Sequence, residues 1–186
     1  MYVWGRLMRI AATHRRRGPY AAGDESRLAF RCLPTDIDPN LHLNNARYMM
    51  LADIGRLDIF LRSGLISVCR RNGWGPMMGG VQSVYVREIR LWRRFEVIST
   101  IETWRGTQVV GKHRFVLASG ETAAIVMTTA GVYDFRARAF VPIDTVVAAL
   151  GHDRPPRPPD AAEEAFMASH DGLRRLAKAT REPVDA

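Results

Sequence analysis

The stretch from Asn44 to Ser63 most constrains how this chain folds, because it reads as a long helix that is apolar on most sides. Asn44 is a good N-cap and Gly64 suits the C-terminal end, which gives about 30 Å of helix. The apolar residues are Ala46, Met49, Met50, Leu51, Ile54, Leu57, Phe60 and Leu61. A helix of this kind has to be surrounded by other parts of the chain.

Strand-like segments that can surround the helix lie on both sides of it. Leu28 to Leu33 reads as a first strand, and four stretches rich in Val, Ile, Thr, Phe and Tyr follow the helix: Met77 to Val86, Phe95 to Trp104, Val109 to Ala118 and Ala123 to Phe135. Short links at 105–107 and 119–121 favour an antiparallel meander. One strand, a long helix and four strands predict an α+β fold, a five-stranded antiparallel sheet wrapped around a central helix.

The segments outside this core divide the chain into three parts. Residues 1–23 form an amphipathic basic segment, residues 24–151 the main domain, and residues 152–186 a Pro-rich linker and a C-terminal helix from Ala161 to Thr180. Pro142 to Leu150 reads as a further short helix. In the first segment, arginines interrupt every long apolar window, which predicts a helix that packs on the domain or a partner subunit, or contacts a membrane surface, and does not span a bilayer.

Composition narrows the class of protein. With 186 residues, 47% of them hydrophobic and 25% charged, the chain suits one globular domain. Two cysteines, Cys32 and Cys69, without a secretory leader favour a reducing, cytoplasmic location. Lys plus Arg exceed Asp plus Glu by 27 to 19, which is compatible with nucleic acid, an anionic membrane or a phosphate-bearing small molecule such as coenzyme A. We expect no nucleic-acid binding, because no zinc-finger, helix-turn-helix or RNA-binding pattern is seen.

A polar loop precedes the long helix and is the best candidate for chemistry. Residues 36–48 read Asp-Ile-Asp-Pro-Asn-Leu-His-Leu-Asn-Asn-Ala-Arg-Tyr. A carboxylate here would lie beside the free N–H groups and positive dipole end of the helix, an arrangement that suits carbonyl chemistry. Asp36 reads as a turn or cap carboxylate, and Asn44 as the helix cap. The Asp-x-Asp-x-x-x-His spacing offers too few ligands for a metal site.

This loop, with the order of elements around it, resembles that of hot-dog-fold acyl-CoA thioesterases of the 4-hydroxybenzoyl-CoA thioesterase-like superfamily. The likeness covers about residues 24 to 150. It extends to bacterial thioesterase-like proteins related to the mammalian thioesterase-superfamily member six, and the loop is similar to that of plant acyl-ACP thioesterases. The resemblance implies a hot-dog fold, hydrolysis of an acyl-CoA or acyl-carrier thioester to free acid and thiol, and a place in fatty acid metabolism.

The resemblance also implies roles for individual residues. Asp38 matches the catalytic carboxylate of the hydroxybenzoyl lineage, as nucleophile or general base, and the backbone N–H of Asn45 matches the helix-start amide that polarises the thioester carbonyl. Asn40 and His42 match the asparagine and histidine beside that aspartate in the plant enzymes. Those enzymes add a glutamate about one strand later, but residues 74–80 of this chain contain no acidic residue.

Substrate contacts and partners complete the expectation. Tyr85 to Arg94 concentrates four arginines near a predicted hairpin and reads as a solvated turn or a site for the phosphates of coenzyme A; Arg87 and Arg90 are the first candidates. Tyr48 lies one turn into the helix and reads as a packing residue or a substrate contact. We expect no cofactor beyond the coenzyme A of the substrate. A single sheet leaves exposed edges, which predicts a homodimer or tetramer with active sites between subunits, as the resemblance also implies.

Two rival functions follow from the same residues. A hot-dog enoyl-CoA hydratase is disfavoured, because that family places its histidine five residues after an aspartate preceded by glycine, whereas here the separation is four and Ile37 precedes Asp38. A non-catalytic acyl-CoA or acyl-carrier binding module, associated with a membrane through residues 2–17, is the rival from another class.

Overall fold

The computed structural model describes residues 3–152 and 155–179 of the chain. Its helices are α1 (Trp4–Thr13), α2 (Asn45–Arg62), α3 (Leu65–Asn72), α4 (Ile143–Ala149) and α5 (Ala161–Ala179), and a 3-10 helix spans His14–Arg17. Its strands are β1 (Ser26–Arg31), β2 (Trp74–Tyr85), β3 (Arg94–Arg105), β4 (Gln108–Leu117), β5 (Thr122–Asp134) and β6 (Ala139–Val141). The predictions for residue 2, residues 153–154 and Thr180 lie outside the described residues.

The sheet is antiparallel throughout, and its five main strands lie in the order β1-β3-β4-β5-β2, with the short β6 beside β5. The predicted five-stranded sheet around a long helix is therefore confirmed. The predicted meander is confirmed for β3, β4 and β5, which are joined by short turns. It is wrong for β2, which pairs with β5 at the far edge of the sheet, so that residues 86–93 form a crossover and not a hairpin.

Burial of α2 explains why the sheet curls. The helix buries Leu51, Ala52 and Ile54 completely, and these residues join one core cluster with Val97 of β3 and Phe115 of β4. At Gly55, which has no side chain, α2 lies directly against Ser99 of β3. Removing this apolar surface from water supplies the main driving force for wrapping the sheet around the helix.

The ends of α2 follow the sequence closely. Asn44 caps the helix, because its Oδ1 accepts the Ala46 N–H at 2.9 Å. The helix stops at Arg62, and Gly64 then takes a left-handed φ of 78° that residues with a side chain rarely adopt. That turn leads into α3, a helix that was not predicted from the sequence. A second left-handed glycine, Gly73, ends α3.

Both terminal helices pack against this body. Val3, which precedes α1, and Ile10 of α1 are buried in the same core cluster as Leu28 of β1, and Phe166 and Met167 of α5 pack on Val110 of β4. The predicted division at residues 23 and 151 stays a prediction. Among the helices of residues 3–152 and 155–179, none combines the length and apolarity needed to cross a bilayer.

Candidate active site

The polar loop ahead of α2 is a compact turn closed by its own backbone. The Asp38 N–H donates to the His42 carbonyl at 3.1 Å, and the Leu41 N–H donates back to the Asp38 carbonyl at 3.0 Å. Leu41 adopts a left-handed φ of 61°, which reverses the chain direction within the turn. The turn therefore holds Asp38 and His42 close together in space.

The crossover from β2 to β3 fixes this loop from the other side. The Leu43 N–H donates to the Ile89 carbonyl at 2.8 Å, and the Leu91 N–H donates to the Leu41 carbonyl at 3.3 Å. The Ile89 side chain is completely buried in the core. The crossover therefore packs into the core through Ile89 and holds the loop in place through these two backbone hydrogen bonds.

Asp36 has a structural environment. Its carboxylate is buried and accepts two hydrogen bonds from the Arg6 guanidinium, at 2.9 and 2.6 Å, and one from the Leu33 N–H at 2.9 Å. These bonds join α1 to the loop. The pattern agrees with a turn carboxylate and leaves Asp36 no oxygen facing solvent.

Asp38 differs in that one of its carboxylate oxygens remains open. Oδ1 accepts the Asn40 backbone N–H at 3.0 Å, whereas Oδ2 lies 3.5 Å from the His42 Nδ1 and accepts no hydrogen bond from the described residues. The side chain is 16% exposed, so the carboxylate is shielded but reachable. Asn40 thus acts on Asp38 through its backbone, while its side chain is exposed.

The start of α2 provides hydrogen-bond donors next to this loop. Asn44 satisfies the Ala46 N–H, but the Asn45 N–H finds no acceptor among the described residues. Unpaired amides and the helix dipole make such a position favourable for an anionic oxygen. The first turn of α2 can therefore stabilise negative charge that develops on a bound carbonyl.

A cleft of about 220 Å³ opens beside the Asn45 amide. Its walls come from His42, Leu43, Asn45, Tyr48, Tyr85, Val86, Arg87 and Glu88. The structure thus brings four predicted residues together, namely His42, Asn45, Tyr48 and Arg87. Asp38 adjoins the cleft through its approach to His42, whereas Asn40 and Arg90 lie outside its walls.

Tyr48 forms the floor of the cleft. Its ring is buried, with its centroid 4.9 Å from those of Tyr85 and Phe115. Burial raises the pKa of the Tyr48 hydroxyl far above its usual range, so the group stays protonated at neutral pH. Tyr85 was not predicted as a site residue, because nothing in a single sequence indicates that an edge-strand ring makes an edge-on contact with a helix residue 37 positions earlier.

The two candidate coenzyme A contacts are exposed and already paired. Arg87 lies 2.9 Å from Glu121, and Arg90 lies 3.0 Å from Glu88. Such surface pairs are weak and open readily for a stronger anion. Arg87 also lines a larger open groove of about 930 Å³, which shares Val86, Arg87 and Glu88 with the cleft.

A separate apolar cavity of about 100 Å³ lies near the other end of α2. Ile59 and Phe60 of the helix, Trp104 of β3 and Val146 of α4 are among its walls, and it shares no residue with the cleft. In the described part of the chain, no three His, Cys, Asp or Glu residues lie close enough together to hold a metal ion.

Comparison with known proteins identifies the family. A family model described as "Thioesterase-like superfamily" matches residues 32–165. Protein THEM6 of Xenopus laevis is 34% identical over 95 residues, which cover 51% of this chain and 46% of that protein. The match therefore spans about half the length of that relative.

Solved structures show the same fold at low sequence identity. The probable thioesterase YbaW from Escherichia coli superposes with a TM-score of 0.63 and 17% identity, over 67% of this chain and 95% of the other. The 1,4-dihydroxy-2-naphthoyl-CoA thioesterase Slr0204 from Synechocystis gives 0.58 and 12%, over 70% and 100%. The hot-dog fold predicted from the sequence is thereby confirmed.

Proposed function

Because the chain belongs to the thioesterase-like superfamily, we propose that it hydrolyses an acyl-CoA or acyl-carrier-protein thioester to the free acid and a thiol. One observation supports this most strongly. The shielded carboxylate of Asp38, one oxygen of which accepts no hydrogen bond from the described residues, lies in a turn immediately before α2. Asn45 at the start of that helix lines a cleft, and its N–H has no acceptor among the described residues. Thioester hydrolysis needs these two elements, a base or nucleophile and a donor for the oxyanion.

In the proposed reaction, Asp38 Oδ2 either attacks the thioester carbon, which expels the thiolate and leaves a mixed anhydride that water then hydrolyses, or takes a proton from a water that attacks the same carbon. In the second route the C–S bond breaks as the tetrahedral intermediate collapses, and the proton taken by Asp38 passes to the departing thiolate. The Asn45 N–H donates to the oxyanion as it forms, and one such donor contributes roughly 3 kcal/mol to lowering the barrier. His42, 3.5 Å from the same Oδ2, would orient the carboxylate or the water, and the Asn40 N–H fixes the other oxygen. The coenzyme A phosphates would lie along the groove past Arg87 and Arg90.

The exposed edge of the sheet supports a homodimer. β2 is one of the two edge strands of the main sheet, and its Met77, Met78 and Val81 side chains are exposed. An unpaired, apolar edge strand favours pairing with a second copy. Tyr85 and Val86 belong to the end of this edge and also to the cleft, so a second subunit would complete the walls of the active site.

The test is release of free thiol from short, medium, long-chain and aromatic acyl-CoAs, compared between the wild type and Asp38→Asn. We expect the substitution to lower kcat by about 100-fold or more, as for loss of a general base, while acyl-CoA binding persists. Asp171→Asn, on the exposed face of α5, is the matched control and should leave kcat unchanged. Equal turnover by Asp38→Asn and wild type would refute the role of Asp38.

A binding module without catalysis is the second candidate. It is favoured by the 3.5 Å between Asp38 Oδ2 and His42 Nδ1, which is slightly longer than an ordinary hydrogen bond, and by the lack of an acidic residue at positions 74–80. Saturable binding of acyl-CoA by folded wild type, with no thiol release from any member of the panel, would establish this function in place of hydrolysis.

A further inference from the structure

A strongly basic surface lies beside α1 and continues past Arg94 of β3 into the groove that shares Val86, Arg87 and Glu88 with the cleft. Two open hollows of about 490 and 930 Å³ share Arg31 of β1 and Arg94 of β3 as a common wall. Seven arginines and two glutamates line them: Arg6, Arg9, Arg31, Arg87, Arg90, Arg93 and Arg94, with Glu88 and Glu121. The two hollows therefore form one continuous basic surface.

Part of this charge has no acidic partner among the described residues. The two glutamates pair with Arg87 and Arg90, and Arg6 pairs with the buried Asp36. Within the described residues, Arg9, Arg31, Arg93 and Arg94 form no ion pair, and the exposed Arg31 and Arg94 lie directly opposite each other in the β1–β3 ladder. Like charges facing each other across a ladder are destabilising, so this arrangement costs stability unless an anion is bound.

Apolar side chains are interleaved with these charges. Trp4 and Met8 lie four residues apart on one side of α1, with 60% and 62% of their surfaces exposed, next to the stripe that carries Arg9. On the other side of Arg31 and Arg94, Trp92 is 54% exposed and is held by a left-handed φ of 64° in the crossover. We call the surface formed by Trp4, Met8, Arg9, Arg31, Trp92, Arg93 and Arg94 the arginine face.

We propose that the arginine face binds the surface of an anionic lipid bilayer. Arginines with exposed tryptophans beside them match the interfacial region of a membrane, where cations meet lipid phosphates and indole rings lie at the level of the headgroups. A single nucleotide such as that of coenzyme A would engage some of the arginines but would leave Trp4 and Met8 on α1 exposed to water. A bilayer surface covers both the charge and the apolar stripe at once.

The test is sedimentation of the full chain with vesicles of phosphatidylcholine alone or mixed with phosphatidylglycerol. We expect binding to the anionic vesicles only, weakened by added salt. Each arginine near an anionic leaflet contributes roughly fivefold to binding, so Arg31→Gln/Arg94→Gln should lower the affinity by about 25-fold. Trp4→Ala/Met8→Ala should weaken binding as well. Arg70→Gln/Arg71→Gln, on the exposed side of α3, removes the same charge elsewhere and should leave binding unchanged.

Several results would overturn the proposal. Absence of wild-type binding, equal binding to neutral vesicles, or the same loss in the α3 variant would each do so. A rise in KM for acyl-CoA in Arg31→Gln/Arg94→Gln, with vesicle binding unchanged, would assign these arginines to the substrate. Because vesicle binding is measured without substrate, its outcome does not depend on whether the chain proves to be a thioesterase.

Discussion

Gly55, in the middle of α2, lies directly against the sheet. A Cβ atom at this position would lie 2.2 Å from Ser99 Oγ, 3.2 Å from Ser99 Cβ and 3.5 Å from His113 Nδ1. Ser99 and His113 are completely buried on β3 and β4 and are joined by a 2.8 Å hydrogen bond. Alanine cannot enter this space unless the serine hydroxyl moves or the helix withdraws.

The expected effect of Gly55→Ala is a loss of stability, against the usual trend. In an exposed helix interior the change gains about 1 kcal/mol from helix propensity. Here, rotating the hydroxyl away would leave a buried imidazole nitrogen unsatisfied, at a cost of about 1–3 kcal/mol. The remaining contact with Ser99 Cβ adds overpacking, which typically costs about 1–3 kcal/mol. The net change should be a destabilisation of about 1–5 kcal/mol.

Urea unfolding, with the midpoint compared at constant m-value, measures this change. Gly172→Ala in α5 is the matched control, because its added Cβ meets nothing within 4 Å and should stabilise the protein. Ser99→Gly removes both clashing atoms. The free energy of unfolding of the double variant Gly55→Ala/Ser99→Gly should therefore exceed the value expected from adding the two single effects by about 1 kcal/mol or more. The reasoning fails if Gly55→Ala stabilises as Gly172→Ala does, or if the two changes add.

Two further predictions concern acid stability and assembly. Burial, with a smaller contribution from the Arg56 charge, lowers the pKa of His113 to about 3, so unfolding takes up a proton and stability falls as pH drops from about 6.5 towards 3. Between pH 7 and pH 5 the loss should be about 2 kcal/mol in urea unfolding, and a His113→Asn variant that shows the same loss would refute this origin. Val81→Lys places a charge on the exposed β2 edge and should shift the protein to monomer in sedimentation velocity. Leu173→Lys, at an exposed position of α5, should leave the dimer intact. A wild type that sediments as a monomer would disprove the dimer.

Elements with strong local signals were predictable from the sequence. The helix predicted from Asn44 to Ser63 spans Asn45–Arg62, and the five strands were placed within a few residues of their observed bounds. Their signals are periodicity, a capping side chain and short turns. The position of β2 was not predictable in this way, because pairing with β5 depends on how the sheet curls around α2, and nothing in residues 86–93 distinguishes a crossover from a long hairpin.

The site was predictable to a similar extent and for a related reason. The motif placed Asp38, His42 and Asn45 together because they are close in sequence and the helix cap fixes their geometry. Tyr85 and Ile89 were missed, since Tyr85 reaches the site through the edge strand β2 and Ile89 through the crossover that follows it. A single sequence contains no signal for contacts that depend on how distant strands are ordered.

The same turn places its two carboxylates in different surroundings. Asp36 is buried and its two oxygens accept hydrogen bonds from Arg6 and a backbone N–H, so it joins the loop to α1 and is shielded from any substrate. Asp38, two residues later, lies beside a histidine, and its Oδ2 accepts no hydrogen bond from the described residues. Because the loop is tied down at Asp36, at Leu43 and at the Asn44 cap, Asp38 can leave one oxygen uncommitted without losing its position, which is the condition that a base or nucleophile has to meet.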